Sequence, residues 1–245
     1  MEGPDLVAAA LDSGVEFEAL YVDDGHVHSP EIAAVIDRAN AVGVRVFTLA
    51  EGVLEKVADA KTPQPLLAAV RFPMTHLSAL SGEGLILVLH DVRDPGNAGT
   101  IIRSSDAAGV AAVIFTGQSV DPFNPKTLRA TAGSIFHLPV VVSTLEETLH
   151  HFVARGAHTY ATLVRGGVDH RTVDFSKPSV VVIGNEADGL DDAAVGACQG
   201  AVSIAMAGRN ESLNAGVAAA LIVFEALWQR HGADSPRPPS SLTGT

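Results

Sequence analysis

The stretch Leu85-Ile86-Leu87-Val88-Leu89-His90-Asp91-Val92-Arg93-Asp94-Pro95-Gly96-Asn97-Ala98-Gly99-Thr100-Ile101-Ile102-Arg103 decides the fold. Leu85–His90 opens as a continuous apolar run, the pattern of a parallel strand covered on both faces. Pro95-Gly96 is turn chemistry. Asn97 is a helix-capping residue type. Asn97–Ala108 then predicts a helix, and Gly109 stands where a helix ends in a left-handed cap. Strand, polar loop and helix make the first half of a strand–helix–strand unit. Repeated, that unit builds an α/β domain with a mostly parallel sheet between two helical layers.

The pattern does repeat. Val110–Phe115, Leu138–Val142, Thr159–Leu163, Val180–Ile183 and Val202–Ile204 are expected strands, with Leu145–Arg155 helical and Ser212–His231 a long, Ala-rich closing helix. Residues 1–75 read as a small α/β unit. It holds a helix over Leu6–Leu11 that stops near Gly14, a strand over Glu18–Val22, a helix over Pro30–Asn40, a strand over Val44–Leu49 and a helix over Glu51–Ala60. Residues 76–83 (HLSALSGE) are expected to link it to a second domain, 84–231. Residues 232–245, rich in Pro, Ser and Thr, are expected to be a disordered tail. No internal repeat is visible.

Composition narrows the function. In 245 residues, 16 Lys or Arg face 28 Asp or Glu, a net charge of −12, of which −7 falls on residues 1–75 and −5 on residues 76–231. Such a balance argues against coating nucleic acid through bulk charge, though not against reading RNA at a local site. Hydrophobic residues make up 47% and charged residues 18%, which excludes bulk disorder. The lone Cys198 cannot form an internal disulfide and points to a reducing compartment; it reads as a structural residue within an Ala-rich helix. The start, MEGPDLVAAALDSG, lacks a basic leader segment. Leu85–Leu89 and Val217–Phe224 fall well short of the ~20 residues that span a membrane. A soluble, cytoplasmic protein without membrane attachment is expected.

In open parallel sheets ligands bind beyond the carboxyl ends of the strands, and three loops leaving such ends are dense in Gly and polar residues. The first, His90–Gly99, runs into a helix carrying Arg103; alone it reads as a capped helix with a solvated arginine. The second is Gly184-Asn185-Glu186-Ala187-Asp188-Gly189-Leu190, where Gly184 permits close backbone approach and Gly189 a left-handed turn; alone it reads as an ordinary strand-to-helix turn. The third runs from Ile204 to Val217, with Ser212 as the expected start of a helix whose free amides suit a polar ligand. Asn214, expected inside that helix's first turn, is harder to explain as packing, because Asn is a poor interior helix residue. Familiar alternatives lack their signatures. No G-x-G-x-x-G follows a strand, and no phosphate loop, G-x-S-x-G elbow or H-E-x-x-H appears. His150-His151 reads as a solvated helix face, and no metal site is expected.

Together the three loops have a combined order. N-x-G-x-x-x-R (Asn97, Gly99, Arg103), G-x-E-x-x-G-L (Gly184, Glu186, Gly189, Leu190) and M-x-G-x-x-x-S-L-N (Met206, Gly208, Ser212, Leu213, Asn214) resemble the three signature motifs of the SpoU (TrmH-like) family. These are RNA ribose 2′-O-methyltransferases of the SPOUT class. Leu128–Val140 resembles the family's stretch between motifs one and two, and residues 1–75 resemble its small RNA-binding domain. The resemblance implies a C-terminal trefoil knot, which general rules of chain topology would have excluded. It also implies S-adenosylmethionine as cofactor and a homodimer with the site near its interface. The sequence departs from the family at Ala205, where Pro is usual, and at Ala215-Gly216-Val217, where a Ser is common. It also begins inside the family's E-G-P-x-L stretch, so a first strand is expected to be missing or to lie upstream.

The resemblance assigns roles residue by residue. Arg103 is the family's catalytic residue. A guanidinium is a poor base, so Arg103 is expected to hold an RNA phosphate and the 2′-hydroxyl together. Asn97 and Asn214 are expected to orient that hydroxyl and Arg103, Glu186 to fix the loops or pair with Arg103, and Ser212 to shape the site. Leu163, Gly184, Asn185, Glu186, Ile204, Met206, Gly208, Ser212 and Leu213 are expected around the cofactor. Arg93, Lys126, Arg129, Arg165 and Arg209 are the bases expected to hold RNA locally. The two-domain layout resembles ribosomal RNA enzymes, including thiostrepton-resistance types, so 23S rRNA is the expected substrate. A tRNA enzyme and a non-catalytic dimeric RNA-binding protein with a vestigial cofactor site are the alternatives.

Overall fold

Pro4 opens the first helix, α1 (Pro4–Ser13), and Gly14 closes it in the left-handed region at φ 72°. After it come β1 (Glu16–Asp23), α2 (Pro30–Ala41), β2 (Val46–Leu49), α3 (Val53–Val57) and β3 (Leu66–Arg71). These belong to a computed structural model that describes residues 1–57, 64–72, 75–209 and 212–232. The three strands form a sheet in the order β2-β1-β3, with β1 parallel to β2 and antiparallel to β3. Leu20 and Val22 of β1 face α1 and α2, burying Val7, Ile32 and Val35. Strand β3 escapes the sequence reading because Leu66-Leu67-Ala68-Ala69 has little intrinsic strand preference; pairing with β1 makes it a strand. The outer part of the helix expected over Glu51–Ala60 lies outside the described residues, as does the tail from Ala233.

The second unit begins at β4 (Leu85–His90) and continues through α4 (Pro95–Ala107), β5 (Ala112–Thr116), α5 (Pro125–Thr131), β6 (Val140–Val142), α6 (Leu145–Val153), β7 (His158–Thr162), β8 (Val168–Asp169), β9 (Ser179–Ile183), α7 (Asp192–Ala197), β10 (Gly200–Ser203) and α8 (Ala215–His231). Its seven strands lie in the order β6-β5-β4-β9-β7-β10-β8, and every pair is parallel. Alternate residues of β4 serve opposite layers. Leu85, Leu87 and Leu89 pack with Ile101 and Ile102 of α4 and with Ile222 and Val223 of α8. Ile86 and Val88 pack with Leu149 and Phe152 of α6. Burial on both faces explains the unbroken apolar run; each such side chain contributes about 1.5–3 kcal/mol. Helix α5 and strand β8 were not expected. At seven and two residues they are too short for periodicity to register.

Three details correct the sequence reading. Asp94, not Asn97, caps α4, its carboxylate accepting from the Asn97 amide at 2.7 Å. Helix α8 starts at Ala215 with Asn214 as its cap, so neither Ser212 as helix start nor Asn214 inside the first turn holds. Cys198 lies just past α7 in extended backbone rather than within a helix.

Candidate active site

Because the large sheet is parallel, the loops after β4, β7, β9 and β10 emerge at one end. The β9 loop is the tightest. Asn185 and Gly189 exchange backbone hydrogen bonds at 3.1 and 3.0 Å. This folds the chain so closely that a Cβ on Gly184 would lie 2.5 Å from the Gly189 carbonyl carbon. Only glycine fits there. Asn185 pins the loop on both sides: its Nδ2 donates to the Asp91 carbonyl at 2.9 Å and its Oδ1 accepts from the Ala187 amide at 2.8 Å. Asp91 itself sits at φ 59° and accepts from the Gln118 amide through Oδ1 at 2.6 Å. The β4, β5 and β9 loops are thus tied together behind the site.

In front of them lies a cleft. Its floor is apolar, made by Ile183, Val202, Ile204, Ala218 and Ile222, and its rim is Thr162, Leu163, Gly184–Gly189, Met206, Ser212 and Leu213. Of the residues expected around a cofactor, Leu163, Gly184, Asn185, Glu186, Ile204, Met206, Ser212 and Leu213 line it; Gly208 does not. An apolar floor under a rim of backbone amides and carbonyls suits a flat heteroaromatic ring joined to a polar chain.

At the rim, three side chains from three loops form one hydrogen-bonded chain. Asn214 Oδ1 accepts from the Gly216 and Val217 amides at 2.9 and 3.3 Å. The oxygen being fixed there, Nδ2 must donate, and it does so to Asn97 Oδ1 at 2.8 Å. That leaves Asn97 Nδ2 to donate to Glu186 Oε1 at 2.9 Å. Every amide orientation follows from the helix amides at one end and the carboxylate at the other. The chain corrects one expectation and decides between two alternatives for Glu186, which ties loops together. The Gly216 and Val217 amides are used by Asn214 and are not free for a ligand. Glu186 pairs with Asn97, not with Arg103.

Arg103 is exposed on α4 and makes no hydrogen bond or ion pair among the described residues. It lies six residues beyond Asn97, which puts it on a different helix face. Among the described residues Lys126, Arg165 and Arg209 are exposed without side-chain partners; Arg93 is exposed and donates to Gln118 Oε1 at 3.2 Å. Arg129 departs from expectation: it turns inward, 3.7 Å from the Glu2 carboxylate. The sequence reading missed Asp91, Gln118 and Asp94, which hold the loops rather than line the cleft. Among the described residues no cluster of three His, Cys, Asp or Glu side chains is placed to hold a metal. No helix there is long and apolar enough to cross a membrane.

Residues 84–224 match the SpoU rRNA Methylase family, and residues 1–75 match the RNA 2′-O ribose methyltransferase substrate binding domain. The chain is 33% identical over 225 residues to the Bacillus subtilis 23S rRNA (guanosine(2553)-2′-O)-methyltransferase RlmP, spanning 91% of this chain and 86% of that one. An AdoMet-bound rRNA methyltransferase structure from Sinorhizobium meliloti superposes with a TM-score of 0.80 at 34% identity, over 92% of this chain and 85% of that one. The SpoU methyltransferase AviRb from Streptomyces viridochromogenes, solved with AdoMet, gives a TM-score of 0.84 at 29% identity, over 95% and 90% of the two chains.

Proposed function

The chain belongs to the SpoU family of S-adenosylmethionine-dependent RNA ribose 2′-O-methyltransferases, and from that premise we propose that its substrate is 23S ribosomal RNA and that the Glu186–Asn97–Asn214 chain is the frame of its active site. Relatives named for 23S rRNA positions support the substrate. A ribosomal substrate and a lone cysteine support a cytoplasmic enzyme. The observation that carries the site is the hydrogen-bonded chain itself, which ties all three motif loops to the rim of one apolar cleft.

When bound, S-adenosylmethionine supplies an electrophilic methyl group whose sulfur leaves as a neutral thioether, so the departing group needs no metal. The cleft fits it: apolar side chains lie where adenine needs cover, and the folded backbone of the β9 loop offers hydrogen bonds to its polar parts. The protein's own tasks are alignment and proton removal. Arg103, exposed and unpaired among the described residues, has N–H groups to hold an RNA phosphate beside the 2′-hydroxyl. That phosphate then accepts the hydroxyl proton as the oxygen–methyl bond forms. Asn97 and Asn214, locked in orientation, set where the hydroxyl can sit; they make no hydrogen bond to Arg103, contrary to expectation. Arg93, Lys126, Arg165 and Arg209 hold flanking phosphates.

A homodimer completes the reading. Helix α8 exposes Val217, Leu221 and Trp228, with Leu213 just before its start, and Trp228 is 60% exposed. A second copy is the natural cover for so apolar a face. The strand order, in which β10 re-enters between β7 and β8, supports the trefoil threading. The two separate sheets support domains at 1–75 and 84–231, joined by 76–83.

The test is transfer of tritiated methyl from S-adenosylmethionine to 23S rRNA, with the label on a ribose. Arg103→Ala should cut the rate at least a hundredfold, the lower end of what one positioned group contributes (about 10²–10⁴), while cofactor affinity stays within about twofold. Labelled tRNA with unlabelled 23S rRNA would refute the substrate assignment. A normally active Arg103→Ala would refute the mechanism.

A further inference from the structure

Arg129 was expected to hold RNA, and its surroundings give it a different partner. It projects from α5 toward Glu2 of the small unit, at 3.7 Å, with the Glu2 side chain only 5% exposed. Glu2 Oε2 and Arg129 Nη1 are both buried, and neither has a hydrogen-bond partner among the described residues. A buried carboxylate facing a guanidinium that is 32% exposed, at that separation and without a hydrogen bond, is a weak source of stability, because desolvation of Glu2 offsets most of the attraction. Such a pair is better suited to specifying how two surfaces dock.

The surfaces around it are closely fitted. Gly133, just past α5 at φ 92°, lies so near α1 that a Cβ on it would come within 2.6 Å of the Ala9 Cβ. Leu6 of α1 is buried in the core of the large sheet. Phe72, just past β3, stacks on Phe136 with ring centres 5.6 Å apart and planes within 1°. From α5 the contact continues inward. A Cβ on Gly99 of α4 would lie 2.3 Å from the Ala130 Cβ, so α4 and α5 meet backbone to backbone two residues from Asn97.

We infer that Glu2 and Arg129 are positioning residues for methyl transfer: the pair seats the small unit on α5, and α5 sets the first turn of α4, which carries Asn97. The small unit is then part of the frame of the active site as well as a surface for RNA. This rests on reading the Glu186–Asn97–Asn214 chain as that frame.

The experiment compares Glu2→Gln, Arg129→Gln and the double variant with wild type, and uses Lys126→Gln, on the same helix, as the example of an RNA contact. Two readouts are needed. By amide hydrogen exchange, the first turn of α4 should exchange faster in both single variants while β4 and β9 keep their protection. In steady-state assays kcat should fall about tenfold, as a small misplacement at an active site does. The KM for RNA, the cofactor Kd and the salt dependence of RNA binding should stay put, and the double variant should be no slower than the slower single one. Arg129→Lys should recover part of the loss. Glu2→Gln is nearly isosteric and keeps the test open should Arg129→Gln fold poorly. The inference is overturned if Arg129→Gln behaves like Lys126→Gln, raising KM and lowering the salt slope by about one, with Glu2→Gln silent. Unchanged exchange in α4 overturns it too, whether or not methylation is seen. A wild-type protein that methylates no RNA strikes the proposed function alone, since exchange still decides the coupling.

Discussion

At the residue scale the site works by fixed polarity. Asn97 is the only member of the chain that both donates and accepts to side chains, donating to Glu186 and accepting from Asn214. An aspartate there would set two carboxylates against each other, although its size is unchanged. Asn97→Asp should therefore lower methyl transfer at least tenfold, since a hydrogen bond to a charged group is worth about 1.5–3 kcal/mol. Equal rates for the variant and wild type in the tritium assay would remove Asn97 from the mechanism. Gly184 is constrained by space rather than polarity. Gly184→Ala should abolish cofactor binding in a calorimetric titration, because the methyl has no room beside Gly189. Cys198 shows the opposite case. Burial pushes its thiol up to about 11, so it stays protonated near neutrality and is chemically quiet.

Element ends carry much of the local information. Helix α6 begins with Thr144, whose hydroxyl accepts from the Glu147 amide at 3.2 Å and donates to the Glu147 carboxylate at 3.0 Å. The Thr144 hydroxyl, with the Thr144 amide and Ser143 behind it, holds the Glu147 carboxyl below its usual range. A carboxyl lowered by folding adds stability above its unfolded pKa, and that stability is lost as pH falls through the lowered folded value. Thermal melts should accordingly show Glu147→Gln less stable than wild type at neutral pH, with the gap closing in acid. A gap that widens in acid would contradict the role given to the Thr144–Glu147 hydrogen bonds. The same cap chemistry explains where the sequence reading slipped on α4 and α8. Asp94 and Asn97, like Ser212 and Asn214, are all capping types within three residues of one another. Which one caps depends on where the preceding loop is anchored, and composition does not show that.

For the whole molecule, the charge of −12 has a specific meaning. RNA must be held by a few bases near the site, and one of the five expected to do so, Arg129, is already engaged with Glu2. The α8 stripe gives a second whole-molecule expectation. Trp228, the sole tryptophan in the sequence, lies on the face assigned to a second copy. Its fluorescence should shift to shorter wavelength as protein concentration rises through the dimer range, and Leu221→Asp should hold the protein monomeric in sedimentation at concentrations where wild type is dimeric. A wild-type monomer throughout would leave the stripe without its partner.

By itself the sequence determined the layered α/β plan, because strands buried on two faces must be apolar throughout, as Leu85–Leu89 are. It also singled out Asn97, Glu186 and Asn214 together, because they stand in or beside three loops that leave strand ends. Only the tertiary structure decided how they meet. The link from Glu186 to Asn97 joins residues 89 positions apart, and that from Asn214 to Asn97 residues 117 apart. The strand order that puts β9 beside β4 creates the first contact and the packing of α8 against α4 the second, and local sequence encodes neither. Nor could it show that Arg129 faces Glu2, since an arginine on a short helix reads as solvated until another unit folds against it.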